Sequence, residues 1–135
     1  MTIEGLIDGC NAGLEVRFDL TMLEALPARD VKTQNPWETG IVTYRGVLIS
    51  DVLKYVHADG KNIQVTALND YRSVISVADI DAYDIILSYQ REGLYMPVRE
   101  KGPLFIVFPF TDVPALANEF RYAQSVWQVS RITVK

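Results

Sequence analysis

The stretch VKTQNPWETGIVTYRGVLISDV, from Val31 to Val52, contains the signals that decide the fold. It opens with a β-prone run and breaks at Asn35-Pro36, where proline removes a backbone donor and favours an extended neighbour. Trp37 follows in a polar loop. The residues after this loop predict a short strand, a turn at Arg45-Gly46 and a helix that Ser50 caps. The stretch therefore predicts short strands alternating with short helices.

The indole of Trp37 has two interpretations. A single tryptophan more often covers a core, because a large aromatic side chain is usually well buried. Alternatively, it presents a flat face on which a flat ligand stacks. Its neighbours Gln34, Asn35, Glu38 and Thr39 are polar, which favours a place at the mouth of a pocket.

Strand signals recur along the rest of the chain. The run from Leu104 to Phe108 is apolar at every position and predicts the most buried strand. Asn69-Asp70 predicts a tight turn between two strands. Trp127 falls in the closing strand, and we expect it to serve folding. The predicted strands span residues 3–7, 14–20, 29–34, 41–44, 63–68, 71–77, 84–90, 104–108 and 126–134.

Three short helical segments are predicted between these strands. A capping box that begins at Thr21 starts a helix that Pro27 ends. Ser50 starts a second helix, which stops at Asp59-Gly60. A further turn runs from Ser76 to Asp79. Together the elements predict an α+β fold, a single domain over residues 1–135 with a mixed, irregular β core and a few short helices.

Composition excludes several classes of function. The net charge is −4 and the basic residues are dispersed, which argues against a nucleic-acid partner. No apolar run is long enough to insert into a membrane, so we expect a soluble protein. No signal segment is evident before residue 10. The chain is therefore either cytoplasmic or a mature form whose leader was removed.

Catalytic and metal-binding residues are scarce. Cys10 is the one cysteine, so neither an internal disulfide nor a cysteine cluster can form, and it has no basic neighbour to activate it. His57 is the one histidine, and its place near a helix end leaves the serines without a base. The acidic residues Asp79, Asp81 and Asp84 are typical of a solvated surface. The sequence therefore argues against an enzyme and against a bound metal.

Aromatic side chains next to polar or charged residues favour a binding function instead. A loop aromatic near a carboxylate suits a planar heterocycle with adjacent N–H donors. The alternative is that the tyrosines simply lie between core and water. The aromatic residues concerned are Trp37, Tyr44, Tyr71, Tyr89, Tyr95, Tyr122 and Trp127.

Six motifs follow one another in a recognisable order: Ile3-Glu4-Gly5, Phe18 to Pro27, Gly46 to Leu53, Asn69-Asp70-Tyr71, Gly102 to Pro109, and Trp127 to Val134. In this order they resemble the sulfite-oxidase-like molybdopterin-binding domain, over nearly the whole chain. That family has a mixed α+β fold with an irregular β core. None of the six motifs is specific alone, so the resemblance depends on their order.

The chain departs from this family at one important place. The family's enzymes carry a molybdenum-ligating cysteine just after the strand that begins near residue 29. Here the segment 31–37 has no cysteine, and Cys10 lies on the other side of the first helix. The resemblance therefore argues against a molybdenum cofactor and against oxygen-atom transfer.

The chain is similar to small periplasmic proteins of this superfamily that bind a free pterin and report it to a membrane sensor, often one that controls cyclic-di-GMP. This implies a non-enzymatic, periplasmic pterin-binding protein whose partner is the sensor domain of a membrane protein. Two alternatives are a degenerate molybdopterin-dependent oxidoreductase that retains its cofactor, and a ligand-free interaction module. The expected ligand-binding residues are Asp70 as first carboxylate acceptor, Glu38 as second, Trp37 for stacking, and Tyr71, Tyr44 and Arg121 as further contacts.

Overall fold

The computed structural model describes residues 1–7 and 15–135. The predictions for the loop that contains Cys10 and for the start of the strand at Leu14 lie outside these residues. The strands are β1 (Thr2–Gly5), β2 (Glu15–Arg17), β3 (Arg29–Thr33), β4 (Val42–Leu48), β5 (Asn62–Ala67), β6 (Arg72–Ser76), β7 (Ile86–Arg91), β8 (Leu94–Tyr95), β9 (Phe105–Val107) and β10 (Val129–Val134). The helices are α1 (Leu20–Glu24), α2 (Ile49–Tyr55), α3 (Val77–Ala82) and α4 (Glu119–Gln124), with 3₁₀ turns at Val98–Glu100 and Pro114–Leu116.

The strands form two sheets. In the first sheet the order is β2-β1-β10-β5-β6, with β1 and β10 parallel and the other pairs antiparallel. In the second sheet the order is β3-β4-β7-β8, and β9 also pairs with β7. Short helices connect the strands. The predicted α+β class, with a mixed β core and a few short helices, is confirmed.

Two hydrophobic clusters lie on opposite faces of the second sheet. The larger cluster takes residues from both sheets and from α2. The smaller one, which we call the second cluster, consists of Val31, Val42, Tyr44, Ile86, Met96, Phe105 and Val107, with Trp37 and Leu48 against it. Strand β9 serves both, because Phe105 and Val107 face the second cluster while Ile106 faces the larger one. A strand covered on both faces must be apolar throughout, as predicted for residues 104–108.

Both predicted helix caps in the first half of the chain are wrong. Helix α1 is capped by Asp19, whose Oδ1 accepts a hydrogen bond of 2.8 Å from the Met22 N–H. This cap lies two residues before Thr21. Helix α2 continues directly from β4, with no side-chain cap, because the N–H of Ile49 already donates to the carbonyl of Ile85. Ser50 therefore lies inside the helix, which ends at Tyr55 rather than near residue 59.

The turn predicted at Arg45-Gly46 is also wrong. Strand β4 continues through these residues, and its register with β7 shifts between them in a β-bulge. A Cβ atom at Gly46 would lie only 2.1 Å from the carbonyl oxygen of Leu87. The glycine thus permits two strands to approach closely, and besides turns this is a common reason for a glycine within a strand.

The predicted hairpin is present. Strands β5 and β6 pair antiparallel around a turn in which Asp70 has a positive φ of 67°. Ser76 caps α3 by accepting a hydrogen bond of 3.2 Å from the Asp79 N–H. Trp127, by contrast, lies outside the closing strand, which begins at Val129. In the part of the chain that the structure describes, no helix is long and apolar enough to cross a bilayer.

Candidate ligand-binding site

A cavity of about 230 Å³ opens where the β3–β4 loop, the β5–β6 turn, α4 and the segment before β10 meet. We call it the aromatic cleft, because Trp37, Tyr71, Tyr122 and Trp127 line it. The remaining lining residues are polar or small and none is charged: Ala67, Asn69, Ala123, Ser125, Val126 and Gln128. Four aromatic rings around an uncharged cavity suit a small, flat, neutral ring.

Trp37 is held in place by its own loop. The backbone N–H of Trp37 donates to Asn35 Oδ1 at 3.0 Å, and Asn35 Nδ2 donates to the hydroxyl of Tyr44 at 3.1 Å. The indole makes edge contacts with the rings of Phe105 and Tyr122, with centroids 5.9 and 6.0 Å apart. Because Phe105 belongs to the second cluster, Trp37 is at once part of that cluster and a wall of the aromatic cleft.

Trp127 forms the facing wall. Its side chain is 38% exposed, and its ring meets the edge of Trp37. The Lys101 ammonium lies 4.8 Å from the centroid of Trp127, in a cation–π contact. Trp127 is therefore a half-exposed residue of the cleft and not a member of the closing strand.

Tyr71 connects the β5–β6 turn to α4. Its hydroxyl donates to the carbonyl of Ala123 at 2.6 Å, and its N–H donates to Asn69 Oδ1 at 3.1 Å. The ring is 47% exposed. The hydrogen bond at one end and the turn at the other fix the ring at the cleft without burying it.

A second cavity of about 410 Å³, which we call the cationic pocket, is lined by Arg91, Arg99 and Lys101, together with Glu38, Tyr44, Leu94, Tyr95, Met96, Pro97 and Glu100. Glu38 is only 12% exposed. Its Oε2 accepts from Nε of Arg91 at 2.7 Å and from a second guanidinium nitrogen, and Lys101 Nζ lies 4.0 Å from Oε1. The hydrogen bond with Glu38 raises the pKa of Arg91 further above its usual range.

Tyr44 is fully buried beside this pocket. Its ring packs edge to face on Phe105, with centroids 5.5 Å apart. Burial raises the pKa of Tyr44, so its hydroxyl stays protonated at neutral pH. Tyr44 therefore contributes to packing, and only its polar end is available to a ligand of the cationic pocket.

The structure does not bring the six expected ligand-binding residues together. Trp37 and Tyr71 line the aromatic cleft, whereas Glu38 and Tyr44 line the cationic pocket. Asp70 is exposed in the β5–β6 turn, between the lining residues Asn69 and Tyr71. The binding roles of all of them stay predictions.

The sixth residue, Arg121, is engaged elsewhere. Its guanidinium donates to Asp79 Oδ2 at 2.7 Å and to Gln124 Oε1 at 3.0 Å, which joins α4 to α3. The hydrogen bond from Arg121 lowers the pKa of Asp79 below its usual range. Since the Arg121 side chain is only 14% exposed, its contacts are those of a packing residue.

The segment 31–37, where the resemblance led us to look for a ligating cysteine, is closed by hydroxyl groups. The Thr33 side chain, fully buried, donates to the Gln34 carbonyl at 2.9 Å and accepts from the Thr111 N–H at 3.2 Å. The Gln34 N–H in turn donates to the Thr111 hydroxyl at 2.8 Å. We call this reciprocal pair the threonine clasp.

The residues around the threonine clasp do not fit a molybdenum cofactor. They include no thiolate, and the adjoining cavity of about 430 Å³ has no charged side chain to bind a phosphate. Its lining is Gln34, Asn35, Pro36, Phe110, Thr111, Pro114, Ala117 and Tyr122. Within residues 1–7 and 15–135, no three His, Cys, Asp or Glu side chains are grouped as a metal site would need.

The six expected ligand-binding residues leave out several residues of the site. Tyr122 and Trp127, noted only among the aromatic residues, and Asn69 and Gln128 all line the aromatic cleft. The abundance of aromatic residues next to polar ones was the only available signal. It could not show that Trp37 and Trp127, ninety residues apart in the chain, form one site.

The arrangement of the two sheets is that of a sulfite-oxidase-like fold, as the order of motifs implied. The crystal structure of the sulfane dehydrogenase SoxCD from Paracoccus pantotrophus is similar over 99% of this chain, with a TM-score of 0.73 and 16% sequence identity. The match covers 37% of that longer chain. At this identity the similarity establishes the fold alone. No protein-family model and no curated protein sequence matches the chain.

Proposed function

We propose that this protein binds a small planar heteroaromatic molecule of the pterin type in the aromatic cleft and acts as a ligand-dependent regulator. The observation that carries the proposal is the set of four aromatic side chains around one cavity. Trp37 and Trp127 meet at 5.5 Å with perpendicular rings, so a flat ligand that stacks on one indole meets the edge of the other.

The size of the cleft supports a small ligand. Its volume of about 230 Å³ is below the range of about 300–1,000 Å³ that is usual for drug-sized ligands. A bicyclic ring suits this space better than a complete molybdopterin cofactor does. The threonine clasp also argues against the oxidoreductase alternative, because the segment in which the resemblance implies a metal-binding thiolate holds hydroxyl groups that are already hydrogen-bonded.

Polar recognition of the ring falls to the residues at the mouth of the cleft. The carboxamides of Asn69 and Gln128 line the cavity, and Asp70 follows Asn69 directly. We retain Asp70 as the carboxylate that accepts from the adjacent N–H groups of a pterin. Glu38 suits this role less well, because Arg91 already occupies it.

A regulator also requires a protein that reads its ligand state. The family resemblance suggests the sensor domain of a membrane protein, in the periplasm. A ligand can shift such an interaction only if it binds the free and the partner-bound protein with different affinity. Partner binding should therefore differ with and without pterin, whereas a ligand-free interaction module would bind equally in both cases.

Intrinsic fluorescence provides a direct test of ligand binding. The chain has two tryptophans, and both line the aromatic cleft, so a ligand there must change their emission. We expect pterin to quench the tryptophan emission in a saturable way. The fluorescence anisotropy of the pterin should rise when it binds. Trp127→Ala should weaken this binding, whereas Tyr55→Ala, which removes an exposed aromatic ring from α2, should not. If calorimetry and fluorescence both show no binding of pterin to the wild-type protein, the proposed function is wrong.

A further inference from the structure

We infer that the ligand of the aromatic cleft carries an anionic substituent, and that this substituent binds in the cationic pocket. This inference rests on the proposed function and adds a second subsite to it. It assigns the ligand to a class: a planar heterocycle with a carboxylate or a phosphate attached.

The two cavities share a wall. Trp37 and Glu38 are consecutive residues, yet Trp37 lines the aromatic cleft and Glu38 lines the cationic pocket. On the opposite side, Lys101 lines the cationic pocket while its ammonium lies 4.8 Å from the ring centroid of Trp127 in the cleft. A ring that stacks on the indole of Trp127 is thus close to the Lys101 ammonium.

Charge favours an anion in this pocket and not in the cleft. Three cationic side chains and two carboxylates line the pocket, although the whole chain has a net charge of −4. Arg99 is exposed and has no ion pair among the described residues. Lys101 lies over the ring of Trp127, and its carboxylate partner, Glu38, is at the long distance of 4.0 Å. Neither Arg99 nor Lys101 therefore has a close carboxylate among the described residues, and both charges can attract an incoming anion.

The geometry of the cations suits carboxylate or phosphate groups. A guanidinium presents a planar fork of N–H donors that matches two oxygens of such a group, and an ammonium adds a point charge. Arg91 is held by Glu38, which fixes its place in the lining. Arg99 and Lys101 also line the pocket, Arg99 in the middle of the 3₁₀ turn Val98–Glu100 and Lys101 just after it.

The test compares two ligands that differ in charge, pterin and pterin-6-carboxylate. The wild-type protein should bind the carboxylate about tenfold more tightly, as expected for one charge-assisted contact. Arg99→Ala should remove this preference while leaving the affinity for pterin unchanged, because Arg99 does not line the cleft. Arg17→Ala, which removes an equal charge from a side chain 82% exposed on β2, is the matched control and should change neither affinity.

The outcomes separate this inference from the proposed function. Equal affinities of the wild-type protein for the two ligands would overturn the anionic subsite and leave the pterin site intact. A preference that survives Arg99→Ala and Lys101→Met together would place the anion elsewhere and likewise overturn it. If neither ligand binds, both proposals are wrong. Inorganic phosphate should compete with pterin-6-carboxylate and not with pterin, which shows whether the pocket also accepts a detached anion.

Discussion

The indole rings of Trp37 and Trp127 meet edge to face, with centroids 5.5 Å apart and planes at 88°. Trp127 is the more informative of the two, because it is 38% exposed and its ring meets one aromatic ring, whereas Trp37 meets three. Trp127→Ala should weaken pterin binding by about 1–3 kcal/mol, the range for stacking on an aromatic side chain. Isothermal calorimetry measures this directly. An unchanged affinity would show that Trp127 is not a wall of the site.

Trp37→Ala should affect folding as well as binding. Its indole contacts three aromatic rings and covers the second cluster, so we expect a loss of about 3 kcal/mol in the free energy of unfolding. Trp127→Ala should cost only about 1–2 kcal/mol, since its ring contacts one aromatic ring. Urea titration of the two variants measures both losses. The sequence alone suggests the opposite contrast. Equal losses for the two variants would contradict the structural assignment.

Glu38→Gln separates two roles for Glu38. If Glu38 is only a counterion, the substitution frees Arg91 and Lys101, and pterin-6-carboxylate should bind several-fold more tightly, by about 1 kcal/mol. The affinity for pterin should stay the same. If Glu38 instead accepts hydrogen bonds from the pterin ring, Glu38→Gln will weaken the binding of both ligands.

Asp79→Asn should lower stability in a pH-dependent way. Arg121 lowers the pKa of Asp79 below its ordinary value of 3.8, so the ion pair stabilises the fold above that value and its contribution is lost as the pH falls through the lower, folded-state pKa. We expect Asp79→Asn to cost about 1–2 kcal/mol at neutral pH, and the difference from the wild type to shrink as the pH falls through the lowered pKa of Asp79. Urea unfolding at several pH values measures both.

Asp81→Asn is the control for that experiment. Asp81 lies on the same helix, is exposed, and forms no ion pair with any of the described residues. Its substitution should leave the stability within about 0.5 kcal/mol of the wild type. A difference between Asp79→Asn and the wild type that persists undiminished in acid would mean that the ion pair is not its cause.

Thr33→Val tests the threonine clasp. The substitution preserves shape but removes the oxygen that accepts from the Thr111 N–H, so we expect a loss of about 1–3 kcal/mol in the free energy of unfolding. Thr39→Val, at an exposed position of the β3–β4 loop that follows Thr33, should have little effect. Thermal melts of the two variants make the comparison. If both melt like the wild type, the clasp does not stabilise the segment.

Much of the fold could be predicted because its signals are local. The β-rich runs, the turn at Asn69-Asp70 and the helical turn that begins at Ser76 each depend on a few neighbouring residues. The errors arose where a distant part of the chain decided the local structure. Gly46 is a glycine because β7 lies against it. Ser50 is not a cap because α2 already begins at Ile49, whose N–H donates to the carbonyl of Ile85.

The candidate site was harder to predict, for the same reason. Trp37, expected from its polar loop, and Tyr71, expected from its place after the Asn69-Asp70 turn, both line the aromatic cleft, although their binding roles stay predictions. Glu38 and Arg121 were also expected to contact the ligand, but ion pairs with residues about 50 and 40 positions away engage them. Spacing along the chain cannot reveal such partners.

The second sheet, whose two faces carry separate hydrophobic clusters, also determines how the protein must unfold. Strands β4, β7 and β9 contribute residues to both clusters, so neither cluster can open without removing the support of the other. Tryptophan emission reports only the small cluster and its cleft, whereas far-ultraviolet circular dichroism reports the backbone of both sheets. Because the clusters share their strands, the two signals should change at the same denaturant concentration, as in an all-or-none transition.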